Sequence, residues 1–422
     1  MLLLHASTWA GPMINHTSRD FYKTFAKIGL LSFGGPAAQI ALMHRVLVDE
    51  RAWLNESQFA GALSFCMLLP GPEAMQLATY AGWRLRGLAG GLAAGLLFVV
   101  PGALVIWALA MAYISYGAQP WAVAAFLGIK ASVITIVVHA LFALASKALN
   151  NLASIAIAVV AFLGIFAFGA PYPLILLLAA FAGGLFFSCK NTDKPTPVQP
   201  ASNPIRTLFI GLVLWVTPLA VLYITDQNFL TELAAYFAQM ALLSFGGAYA
   251  LLGWMTQTIV QDHGWITAPQ MIDALGLAET TPGPLILVTQ FVSHVAGNAQ
   301  GGIGMATLAG FITLWMVFTP CFVYIFVGAP YLERLLAMPR LRAALTGITA
   351  AVTGVIASLS LWFALSVLWP NGLEQGFANI SIPALSLILS GMGLFSLLKG
   401  NLFLLLAGNA TLGCALGAFS FL

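Results

Sequence analysis

Apolar residues run through this chain in long stretches, and polar residues are confined mainly to the gaps between them. A bilayer core needs about twenty such residues in a helix. The pattern predicts full spans near 88–117 (kinked at Pro101), 120–148, 151–170, 171–188, 207–225, 301–328, 343–369, 377–398 and 400–421. Two earlier stretches differ. Asp20 to Glu50 is interrupted by Gly34-Gly35-Pro36, and Glu56 to Arg86 by Pro70-Gly71-Pro72. Their arms reach only ~20 Å at ~1.5 Å per residue, short of a ~30 Å core, which predicts re-entrant half-helices. The short alternating segments of a porin-like barrel are missing. The expected fold is an all-α polytopic membrane protein.

The broken segment occurs twice. Ser32-Phe33-Gly34-Gly35 and Pro70-Gly71-Pro72 return as Ser244-Phe245-Gly246-Gly247 and Pro282-Gly283-Pro284, both at an offset of 212. Of the 41 aligned positions 14 are identical, among them Met43/Met255, Trp53/Trp265, Gln58/Gln270 and Leu63/Leu275, so the copies share one ancestor unit. Further on, Pro101/Pro320 and Gly128-Ile129/Gly347-Ile348 align at an offset of 219. A polar, Pro-rich segment separates the copies. The expected organisation is a tail (1–19), a first repeat (20–188), a cytoplasmic linker (189–206), a linking span (207–230) and a second repeat (231–422). The tail has no basic n-region, and no cleaved signal peptide is expected.

Charge placement suggests how the copies face. Arg19, Lys23, Lys27, Arg45, Arg51, Arg84 and Arg86 surround the first copy, whereas no Lys or Arg lies between Thr207 and Glu333. By the positive-inside rule the first copy opens to the cytoplasm and the second to the opposite side. Four spans plus one linking span between them is odd, which agrees. The predicted architecture is a pair of inverted-topology repeats, as in secondary transporters.

With 60% hydrophobic and 7% charged residues and a mean hydropathy of +0.95, the surface suits lipid. The net charge of +3 rests on too few residues to suggest nucleic acid. Cys66, Cys189, Cys321 and Cys414 form no CxxC and read as apolar filler. No metal site, cofactor fingerprint or catalytic motif is found, so an enzyme such as a membrane reductase is not expected.

Unwound backbone within a membrane is tolerated where it lines a cavity or is buried in protein. Gly34, Gly35, Pro36, Pro70, Gly71, Pro72, Gly246, Gly247, Pro282, Gly283 and Pro284 therefore mark a candidate substrate region, against the plainer reading of tight turns. Free amides and the positive helix end favour an anion there.

These residues carry a resemblance. Gly34-Gly35-Pro36, Gln39-Ile40, Met43-His44-Arg45, Leu68-Leu69-Pro70-Gly71-Pro72-Glu73-Ala74, Gln76-Leu77-Ala78-Thr79-Tyr80 and Gly82-Trp83 resemble the chromate transporter (CHR) family. So do Phe245-Gly246-Gly247-Ala248-Tyr249, Gly264-Trp265 and Glu279-Thr280-Thr281-Pro282-Gly283-Pro284-Leu285. The likeness covers about residues 20–400 and matches the two-domain, long-chain form. It implies export of chromate across the inner (plasma) membrane, driven by the membrane potential or proton gradient, with resistance as the outcome. Sulfate, an equally tetrahedral dianion, remains an alternative substrate, and a passive anion channel an alternative mechanism. A homodimer is compatible with this reading.

A dianion calls for positive charge at depth. Lys130 lies about ten residues into its span, ~15 Å deep, and is either a substrate ligand or a side chain that snorkels to the interface. His44 and Arg45 are placed at the cytoplasmic mouth, as anion contacts or as topology signals. Glu73 and Glu279 adjoin the Pro-Gly-Pro breaks and would repel an anion unless protonated. They are candidates for proton coupling, set against a plain helix-terminal role for Glu73.

Overall fold

The computed structural model describes residues 17–187, 204–245, 248–332, 338–370, 380–398 and 400–420, which are helical with no strand among them. Most of the expected linker, the Gly246-Gly247 pair and Cys189 lie outside the described residues. The first copy opens with α1 (Ser18–Leu31), capped by the Thr17 hydroxyl, and α2 (Gly35–His44), which widens into a π-helical turn at Arg45–Glu50. Then come α3 (Glu56–Cys66) and α4 (Glu73–Tyr116). The second copy repeats this order with α9 (Asn228–Leu243), α10 (Ala248–Met255), a π-helical turn at Thr256–Asp262, α11 (Ala268–Glu279) and α12 (Val288–Gly328). Asn55 and Thr267, equivalent in the repeat, cap α3 and α11 through the same reciprocal capping box with Gln58 and Gln270. Of the short arms expected, α1, α2, α3, α9, α10 and α11 are separate helices, whereas those after the Pro-Gly-Pro breaks are the opening parts of the long helices α4 and α12. Both long helices then bend at a glycine, Gly87 (φ +63°) in α4 and Gly302 (φ +70°) in α12, a backbone angle that side-chain-bearing residues rarely adopt.

The remaining helices are α5 (Pro120–Ala148), α6 (Leu152–Phe166), α7 (Tyr172–Phe186) and α8 (Pro204–Ile224) before the second copy. After it come α13 (Pro339–Leu368), α14 (Ile382–Leu397) and α15 (Leu402–Ser420). Among the described residues, five segments are long and apolar enough to cross a membrane: α4, α5, α8, Leu285–Tyr331 (containing α12) and α13. The spans expected at 151–170 and 171–188 are shorter than the sequence suggests. Each is a helix of 15 residues, ~22 Å long, because Gly169 (φ +59°) and Pro171 turn the chain inside an uninterrupted apolar run. Leu104, Phe142, Leu177, Phe181 and Phe209 are exposed, a surface suited to lipid and unsuited to water. The chain is an all-α polytopic membrane protein.

Packing between the copies is exchanged. The helix α5 lies on α14 and α15 from the second half, while its counterpart α13 lies on α6 and α7 from the first. Glycines permit these contacts. A Cβ on Gly128 would collide with the carbonyl oxygen of Asn409, and one on Gly347 with that of Ala179. The long helices α4 and α12 pack on one another at the centre.

Candidate functional site

The two broken segments meet. The amide of Gly283, in the second Pro-Gly-Pro, donates to the carbonyl of Ser32 in the first copy at 2.9 Å. The amide of Gly71 donates to the carbonyl of Ser244 at 3.0 Å. Each break thus satisfies a carbonyl at the end of the opposite copy's first helix, where the helical ladder has run out. The bonded glycines hold φ +119° (Gly71) and +90° (Gly283), and Gly34 and Gly35 hold +88° and +77°. Gln39 ties the crossing together: its Nε2 donates to the carbonyl of Gly283 at 2.7 Å and to that of Ser32 at 3.3 Å. Gln76 donates to the Pro70 carbonyl at 2.7 Å.

A cleft lies at the Ser32–Gly283 crossing, lined by Gly35, Gln39, Ala278, Glu279, Thr281, Gly283 and Leu285, and too narrow for a water molecule. The Glu279 carboxylate is buried there, with Oε1 accepting from the Tyr249 hydroxyl at 2.6 Å. Its Oε2 and the Oε1 of Gln39 have no hydrogen-bond partner among the described residues. Two unmet acceptors mean that the closed cleft attracts a proton or other cation more readily than an anion. A wider surface recess between α8 and α9 is lined by Tyr223, Asp226, Asn228, Thr231 and Glu232. Its carboxylates and lack of a cation make it a poor oxyanion site.

Lys130 sits on α5 with its side chain 17% exposed, and its Nζ lies 3.4 Å from Oδ1 of Asp273 on α11. The Tyr113 hydroxyl of α4 donates to Oδ2 of Asp273 at 2.9 Å. Three helices therefore converge on one buried carboxylate, which lies on α11, the short helix that ends at Glu279. Pro36 begins α2, while Pro282 and Pro284 are buried and Glu73 is half-buried in the first turn of α4. His44 and Arg45 lie together at the far end of α2. Glu56 is 2.9 Å from Nε2 of His44 and Asp49 is 3.5 Å from Nδ1; Glu50 is 3.7 Å from Arg45. The carboxylates stand on opposite edges of the imidazole, an arrangement that clamps a protonated ring. The bond to Glu56, helped by the charges of Glu56 and Asp49, raises the His44 pKa above 6.5, against a smaller effect of desolvation. Arg86 donates to Ser18 and covers the Phe21 ring at 4.9 Å.

Asp273 and Tyr113 do not emerge from the motifs, and Gln39 and Tyr249 lie within them without being marked as site residues. Asp273 carries a signal all the same, as a carboxylate within the apolar run Met271-Ile272-Asp273-Ala274-Leu275. Its partners are 143 and 160 residues away along the chain, so only the fold identifies them.

Short paired half-helices, a buried polar crossing and a lipid-suited surface define a multi-pass helical membrane protein with broken segments at its centre. The sequence profile of the chromate transporter family matches residues 19–185 and 231–414. The chain belongs to the chromate transporter family. It is 33% identical to a probable chromate transport protein of Synechococcus elongatus, covering 79% of this chain and 81% of that one. It is 32% identical to the chromate transport protein of Pseudomonas aeruginosa, covering 78% and 77%. An uncharacterized transporter of Bacillus subtilis, YwrB, is 28% identical over 42% of this chain and 92% of its own length. No solved structure matches.

Proposed function

We propose that this protein is a secondary active transporter that exports chromate across the inner membrane and so confers chromate resistance. Membership of a transporter family supports the substrate class. The observation that carries the mechanism is the reciprocal crossing, in which Gly283 bonds Ser32 and Gly71 bonds Ser244. Two unwound segments meet at one place, and an oxyanion would reach their amides by displacing the Ser32 and Ser244 carbonyls that hold them in the closed state. The glycines and prolines of the breaks line its path, and Lys130 provides positive charge. Glu279 takes up a proton when the anion enters, removing the repulsion it would otherwise exert. Glu73, at the head of α4, is the second proton-coupling candidate. The copies face opposite sides of the membrane, as the basic residues clustered around the first suggest.

The test is uptake of labelled chromate and labelled sulfate into everted vesicles, with and without an imposed proton gradient or membrane potential. Concentrative, gradient-dependent uptake of chromate supports the proposal. Equal or better uptake of sulfate moves the substrate, and uptake that only follows the anion's own gradient makes the protein a channel. Whether it acts as a homodimer is read from the mass of the detergent-solubilised particle.

A further inference from the structure

The sequence invites a simple picture of Lys130 as a free cation awaiting a dianion, but the residue is already engaged. Its ammonium lies 3.4 Å from Asp273 Oδ1, and Asp273 is only 4% exposed. That oxygen has no hydrogen bond among the described residues, so the loose ion pair is its main compensation. The contact is longer than the 2.7–2.9 Å usual for a charge-assisted bond. The other carboxylate oxygen is fixed by Tyr113 at 2.9 Å, whose ring is held edge-on between Phe126 and Phe291. Asp273 is thus anchored on one side and loosely paired on the other. Neither charge recurs in the repeat: the counterpart of Asp273 is Gly61, and that of Lys130 is Thr349.

We propose that Asp273 is an internal stand-in for the transported anion. It neutralises Lys130 while the carrier is empty and yields Lys130 to the tetrahedral dianion when the carrier loads. The inference rests on the reading of this protein as an oxyanion transporter. A buried cation without a partner is costly, so an empty carrier needs a replacement for its cargo before its helices can rearrange. Asp273 provides that replacement within contact distance. Tyr113 keeps the carboxylate in reach, so that it returns when the anion leaves. The residue is therefore a positioning and specificity element. It allows the empty carrier to reset, and it sets the affinity that an incoming anion must exceed.

The experiment uses the full-length protein in proteoliposomes, measuring chromate–chromate exchange separately from net chromate transport. Exchange requires only the loaded carrier to reorient, whereas net transport requires the empty one as well. Asp273→Asn should keep at least half of wild-type exchange, lose net transport by tenfold or more, and bind chromate several-fold more tightly. Lys130→Met should lose both activities. Tyr113→Phe should lower net transport more than exchange. Equal loss of exchange and net transport in a folded Asp273→Asn protein overturns the proposal. The double variant Lys130→Met/Asp273→Met guards against a folding defect in the single ones. It should fold without binding chromate, and wild-type transport by it would make the pair merely structural. A wild-type protein that moves neither chromate nor sulfate in either assay would instead sink the transporter reading itself.

Discussion

The carbonyl of Ser32 accepts a hydrogen bond at 2.9 Å from the amide of Gly283, a residue from the other half of the chain. The equivalent pair, Ser244 and Gly71, makes the same bond in the opposite sense. Each half therefore completes the broken segment of the other. The first half folded alone would leave the Ser32 carbonyl and the Gly71 amide without these partners in a region shielded from water, where each unmet group is costly. The arrangement gives a physical reason why the duplicated unit functions as a pair.

Backbone conformation at the breaks is the first point to test. Gly35 holds φ +77° with nothing within 4 Å of where a Cβ would stand, so any penalty there comes from the backbone alone. A side chain at such an angle costs roughly 1–2 kcal/mol, and β-branching raises that. Gly35→Val should insert into the membrane yet lose chromate transport. Gly71→Ala carries an added clash, because its Cβ would lie 2.8 Å from Cys321 Sγ and from Gln76 Nε2. It should also lower the thermal unfolding midpoint in detergent. Wild-type uptake by Gly35→Val would reduce the first break to a turn.

The orientation of the copies can be read by chemical labelling. Asn55 and Thr267 are exposed, equivalent in the repeat, and each caps a short helix, α3 and α11. Replacing either with Cys removes a cap worth about 1 kcal/mol, which the fold should tolerate. In a cysteine-free background, a membrane-impermeant thiol reagent should reach Asn55→Cys from the cytoplasmic side and Thr267→Cys from the other. Labelling of both from one side would end the inverted-repeat proposal.

Exchanged packing makes a stability prediction. Gly128→Val and Gly347→Val place a side chain against backbone carbonyls of α15 and α7, where nothing flexible can give way. Each should cost at least the 1–3 kcal/mol typical of overpacking. Gly304→Ala, on α12 with open space around it, should be neutral or slightly stabilising, since Ala favours helix. Thermal unfolding of the three purified variants decides the matter. Similar midpoints for all three would mean that the close crossings are not maintained.

At His44 the expected effect depends on pH. Its pKa is raised in the folded protein, first by the hydrogen bond to Glu56. The stabilisation from the charged ring is therefore fully present below the unfolded value near 6.5 and is lost as pH rises through the folded value. The midpoint difference between wild type and His44→Ala should be larger at about pH 6 than at about pH 8.5. A difference that grows with pH would contradict the ion-pair geometry.

Sequence alone determined the solvent, the helical class and the duplication, because these depend on residue types and their order. A bilayer selects long apolar runs, and the matching Gly-Gly and Pro-Gly-Pro breaks interrupt them in both halves. Helix ends within uniform grease were harder to read: hydropathy stays high through Gly169 and Pro171, so two 15-residue helices looked like longer spans. Depth within a span indicated Lys130, and the adjoining Pro-Gly-Pro indicated Glu279, but neither signal gave a hint of what the side chain touches. Tertiary structure alone paired Lys130 with Asp273 and Tyr113, and Glu279 with Tyr249. The reason lies in the exchange of helices between halves. Contacts at the centre join positions far apart in the chain, and a local pattern carries no record of which distant helix will supply the partner.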